Sequence, residues 1–122
     1  MKITPGTITL PEGAESSESS TEEEKWVRCA SCGARLAPEH ARISVSGAHE
    51  HEFMNPSGMR FTVACFAIAP GCMPEGEPST VWTWFPGYSW QIALCKECRG
   101  HVGWSFHSGE SAFHGLVRDR IV

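Results

Sequence analysis

Long apolar runs are missing from this chain. The longest, Phe61 to Ala69, falls far short of the roughly 18 residues that a membrane-spanning helix needs. No apolar h-region follows Lys2, so a secretory signal peptide is not expected, and the chain is expected to be cytoplasmic with no membrane partner. No stretch repeats its apolar residues at helical spacing, so long helices are not expected either. An excess of positive charge is also lacking: 10 basic side chains face 14 acidic ones. The first 25 residues hold six Glu and two Lys, which leaves eight charges of each sign for the rest. A neutral domain lacks the electrostatic footprint of a nucleic-acid binder. Finally, 122 residues leave no room for paired Rossmann halves, an α/β barrel or a kinase.

What is present divides the chain in two. Residues 11–25 are rich in Ser, Glu and Thr, with no large apolar side chain between Leu10 and Trp26. Such a segment cannot bury enough surface to offset its ordering entropy, so 1–24 is expected to be a disordered acidic tail. The domain then spans 25–122. Met59, Phe61, Val63 and Cys65 alternate with Arg60, Thr62 and Ala64, and Val102, Trp104 and Phe106 alternate with His101, Gly103 and Ser105. Period two marks half-buried strands. Gln91–Leu94, Ala112–Val117 and the pair Ile43 and Val45 suggest further strands. Asn55-Pro56-Ser57-Gly58, Pro70-Gly71 and Pro86-Gly87 are turn signals between them. The fold class is all-β.

The six cysteines carry the clearest chemistry. Cys29 and Cys32 form one CxxC knuckle and Cys95 and Cys98 another. Two such knuckles supply four thiolates for a tetrahedral Zn²⁺. A redox CxxC or disulfides are the other uses of the pattern. Four sulfur ligands leave no position for water, so the expected zinc, one per chain, is structural. Gly33 and Gly100 lie just past the knuckles, where a relaxed backbone is expected. Cys65, on the inward face of its strand, and Cys72 read as free thiols. His101 reads as a core or hydrogen-bonding histidine, and the His49 and His51 pair lacks the further ligands of a metal site.

Aromatic residues form the second constellation. Pro86-Gly87 suits the centre of a type II turn, which folds Trp84 and Trp90 towards each other. Trp104 and Phe106 share one strand face, and the second knuckle lies between the two segments. Rings gathered at one end of a sheet are either core filler or a cage for a flat neutral ring, a base or a methylated ammonium. Spacing leaves both open.

Together these motifs carry a resemblance. Asn55-Pro56-x-Gly58, Trp84-Phe85-Pro86-Gly87-Tyr88-x-Trp90, Cys95-x-x-Cys98 and His101-x-Gly103-Trp104-x-Phe106, after an upstream CxxC, resemble the thalidomide-binding (CULT) domain of cereblon. They look most like its free-standing bacterial forms. The resemblance covers about 26–120. It implies two antiparallel sheets meeting near a four-cysteine zinc, the β-tent. It implies a non-catalytic domain that binds cyclic imides: glutarimides, succinimides, thalidomide-type ligands, peptides or proteins ending in a cyclised Gln or Asn, and uridine. Carried over by motif, Trp84, Trp90 and Trp104 wall the pocket and Phe106 closes its base. Asn55 and Pro56 lie on a covering loop, and backbone groups of Trp82 and Trp84, flanking Thr83, hold the imide. Trp82 and Ser57 depart from the family, whose human-type member has His at the first position and whose eukaryotic form has His at the second. The family's Lon-like domain is not seen in this stretch, so a ubiquitin-ligase adaptor role is not expected. The domain is expected to act as a monomer.

Two other classes stay in view. Methionine-R-sulfoxide reductases are similar in their double CxxC zinc and related β-fold, but they need a nucleophilic Cys on a late strand, and no Cys follows Cys98. A zinc-stapled interaction module without a small ligand is the other.

Overall fold

The computed structural model describes residues 25–122, and the expected acidic tail lies outside the described residues. Eight strands follow in chain order. They are β1 (Trp26–Arg28), β2 (Arg35–Pro38), β3 (Glu50–Met54), β4 (Arg60–Phe66), β5 (Cys72–Ser79), β6 (Ser89–Cys95), β7 (His101–Ser108) and β8 (Ser111–Val117). Short 3₁₀ turns occupy Glu39–Ala41 and Arg118–Arg120. β1 and β2 pair as one antiparallel sheet, and the other strands form a second in the order β3-β4-β8-β7-β6-β5. The expected all-β class with two antiparallel sheets is what the chain adopts.

Register explains why one sheet carries two cores. Residues directly opposite each other in a ladder share a face. Phe53 faces Phe61, Val63 faces Val117, Trp104 faces Gly115, Phe106 faces Phe113, and Trp90 and Ile92 face Phe106 and Trp104. One face is therefore aromatic. The opposite face presents Ala64, Phe66 and Leu116, which pack with Val27, Leu36 and Ala37 of the small sheet. The two-stranded sheet thus covers one end of the large sheet and leaves its aromatic face to another partner.

The strands read from alternation appear where expected, each within a few residues. Ile43 and Val45 do not form a strand. Val45 and Ala48 exchange backbone hydrogen bonds across Ser46 and Gly47, both at positive φ. The chain reverses there before a ladder can form, which leaves isolated bridges. The Pro86-Gly87 turn is present: the Tyr88 N–H donates to the Phe85 carbonyl at 3.0 Å, with Gly87 at φ 89°. A positive φ at the third position is the requirement of a type II turn.

Candidate functional site

The two knuckles repeat one backbone design. The Cys29 N–H donates to the Ala34 carbonyl and the Gly33 N–H to the Cys29 carbonyl, each at 2.8 Å. In the second, the Cys95 N–H donates to Gly100 at 2.9 Å and the Arg99 N–H to Cys95 at 2.8 Å. The fifth residue of each turn is left-handed, Gly33 at φ 80° and Arg99 at φ 65°. The second knuckle thus bends at Arg99, one residue before the glycine expected to relax it. A Cβ at Gly100 would instead lie 3.3 Å from the Cys98 sulfur.

The turns bring all four sulfurs within 4.8 Å of one another. Cys29 lies 3.7 Å from Cys98 and Cys32 lies 3.6 Å from Cys95. With Zn–S bonds of about 2.3 Å, a tetrahedron has S···S edges of about 3.8 Å. The donor set fits a structural metal ion. Cys29 and Cys95 are buried while Cys32 and Cys98 face solvent. The Ala34 N–H lowers the Cys32 thiol, but partial desolvation and the crowding sulfurs of Cys95, Cys98 and Cys29 outweigh it and push the thiol up to about 12.

On the aromatic face a cavity of about 470 Å³ opens, within the range of small-molecule sites. Trp84, Trp90, Trp104 and Phe106 line it together with Asn55, Pro56 and Trp82. Trp84 is sandwiched: it stacks on Phe53 at 4.7 Å and meets Trp104 edge-to-face at 4.7 Å. The Trp90 indole N–H donates to the Val81 carbonyl at 2.8 Å, which fixes that wall. Phe106 is 1% exposed and packs on Phe85 and Phe113. The Asn55 side-chain oxygen accepts the Met59 N–H at 2.9 Å and holds the β3–β4 turn. Trp82 sits at the left-handed φ of 58° and is 72% exposed, an uncommon conformation for a bulky residue.

Seven of the eight residues expected to hold a ligand therefore surround one cavity. Thr83 does not line it; its hydroxyl donates to the Phe85 carbonyl and its N–H to Thr80. The cavity also takes in Met59, Phe61, Val81, Ile92, His101 and Arg120. Ile92 was legible, two residues from Trp90 on the same strand face, and Phe61 belonged to the alternating strand. Nothing in the sequence pointed to Arg120.

The other histidines and cysteines singled out in the sequence are engaged or suppressed. His101 donates from Nε2 to the Gly103 carbonyl at 2.9 Å. His49 bonds the Ile43 carbonyl, and His51 the Val45 and Ala48 carbonyls. Burial pushes the Cys65 thiol up to about 11 and Cys72 up to about 12. Such thiols are not nucleophiles at neutral pH.

Fold and site together define a class, a small all-β domain pinned at four clustered cysteines and carrying a ligand-sized aromatic cavity. The comparisons give it kin. The chain is 36% identical to protein cereblon of Drosophila persimilis over 108 residues, 81% of this chain and 17% of that protein. It is 36% identical to the Drosophila melanogaster cereblon over 93 residues, 73% of this chain and 16% of that protein. A shorter stretch of 52 residues is 60% identical to protein cereblon of Drosophila mojavensis. This homology supports a cereblon-type, CULT-like domain. The chain spans about a sixth of the length of these curated relatives. No family model matches it. The similarity, the aromatic cluster and the cysteine cluster together support a ligand-binding domain.

Proposed function

We propose that this domain is a non-catalytic binder of cyclic imides, free or at the C-terminus of a peptide. Trp84, Trp90 and Trp104 take the faces of the ring, Phe106 closes the base, and the Asn55–Pro56 turn covers it. The observation that carries the reading is the convergence of three indoles on a cavity of about 470 Å³ that holds no carboxylate among its described lining residues. An imide is flat and neutral, with one N–H between two carbonyls. Among the described residues no hydrogen bond engages the Trp82 carbonyl or the Trp84 N–H. That pair supplies one acceptor and one donor from the segment flanking the cage. A buried imide N–H without an acceptor costs about 1–3 kcal/mol, so N-methylated imides and lactones are rejected.

In this reading Cys29, Cys32, Cys95 and Cys98 hold one structural Zn²⁺, which joins the small sheet to the end of β6. The domain acts as a monomer in this reading. Trp104→Ala tests the function: glutarimide binding followed by calorimetry is lost while zinc content stays at one per chain. Retained affinity in a zinc-replete variant overturns the proposal.

A further inference from the structure

Beyond the indole cage, the cavity reaches a cation. Arg120 lines it, on the 3₁₀ turn that follows β8. Its guanidinium lies 5.7 Å from the centroid of Phe61, whose ring meets Trp104 edge-to-face at 5.2 Å. Arg120 is therefore one ring beyond the Trp104 wall. One amino nitrogen, Nη1, donates to the His101 carbonyl at 3.0 Å, which orients the group. A guanidinium has five N–H donors arranged as a fork, so most remain for another acceptor. Among the described residues no carboxylate lies within ion-pair distance of Arg120, as is also true of Arg28, Arg35 and Arg99, none of which lines the cavity. Arg120 is also the one formal charge among the described lining residues. The neighbouring His101 ring stands edge-on to Trp104 at 4.8 Å. Burial lowers its pKa, the bond to the Gly103 carbonyl opposes that shift, and the nearby Arg120 charge adds to it.

We infer that Arg120 forms an anion subsite adjoining the aromatic cage, and that the ligand is an imide-edged ring bearing a carboxylate or phosphate on a short arm. The inference rests on the cage reading above. It adds a requirement the cage does not have: a negative charge within about one ring-width of Trp104, the span that Phe61 fills. The fork geometry favours a bidentate carboxylate or phosphate over a single-point acceptor.

Matched ligand pairs test it on the zinc-loaded protein. Glutarimide is compared with its 3-carboxymethyl derivative, and uridine with uridine 5′-monophosphate. These pairs separate a carboxylate source from a nucleotide source. The expected result is about tenfold tighter binding of the anionic member of at least one pair, an advantage that shrinks as salt is raised. In Arg120→Gln the advantage disappears, and Arg120→Lys, which keeps the charge but not the fork, recovers only part of it. The wild-type comparison decides even where a variant folds poorly. Equal or weaker binding of both anionic members, with the neutral ones bound, overturns the subsite and leaves the cage reading intact. Binding of no member overturns both.

Discussion

Arg99 shows how much one residue's backbone matters here. It occupies the left-handed position that Gly33 fills in the other knuckle. A residue with a Cβ held there costs on the order of 1 kcal/mol. Arg99→Gly is expected to stabilise the zinc-loaded domain by about 0.5 kcal/mol, the relief being partly offset by the greater freedom of glycine in the unfolded chain. Gly33→Ala is expected to destabilise it by about 1 kcal/mol, because no neighbouring atom crowds the site and only the φ of 80° opposes a side chain. Urea midpoints at fixed zinc measure both. Among the cage residues, Trp90 gives the cleanest variant. It makes one indole hydrogen bond, to Val81, whereas Trp84 and Trp104 are locked among other rings. The knuckles and indoles were legible as residues because each motif is local in sequence. Arg120 was not, since only the folded register of β4 and β8 brings the 3₁₀ turn after β8 to Phe61.

At the scale of elements, close backbone approaches decide the packing. A Cβ on Gly103 would lie 2.1 Å from the Gly115 carbonyl oxygen in the neighbouring strand β8. Backbone must move to admit it, so Gly103→Ala is expected to cost about 2–3 kcal/mol, read as a lowered denaturation midpoint. Gly71 is similarly placed: its Cβ would lie 1.8 Å from the Arg35 carbonyl oxygen of β2. Its N–H donates to Leu36 at 2.9 Å and joins the loop before β5 to the small sheet. Strands β4 and β7 were legible because large apolar residues alternate with small or polar ones, even though the two cores bury residues on both faces of each strand. β5 was hidden for the opposite reason. It is an edge strand containing Pro74, Gly76 and Pro78, mostly exposed, and such residues are tolerated only at an edge or bulge. β1 and β2 are too short to show a period, and their pairing is fixed by the knuckle between them.

Across the whole molecule, the cysteine cluster and the cavity are mechanically joined. The Arg28 N–H donates to the Val122 carbonyl at 2.9 Å, the Val122 N–H returns to Arg28 at 2.8 Å, and the Ala30 N–H donates to the Arg120 carbonyl at 3.0 Å. The first knuckle therefore holds the segment that carries Arg120, while the second knuckle ends the strand that carries Trp90. A small domain has a marginal core, and structural zinc contributes about 10–16 kcal/mol of apparent binding energy. Chelation is expected to abolish cooperative folding and ligand binding together, followed by circular dichroism and calorimetry. Cys32→Ser is expected to lose the metal, whereas Cys65→Ala, buried on the aromatic face, keeps one zinc per chain by native mass spectrometry.

Recognition of an imide by the three indoles can be read in a single titration. Zinc-loaded protein is titrated with glutarimide and, separately, with N-methylglutarimide, following tryptophan fluorescence. Saturable quenching is expected at micromolar glutarimide, with none for the N-methyl ring and none in Trp90→Ala. An unchanged spectrum at millimolar glutarimide, or equal response to the N-methyl ring, would contradict it.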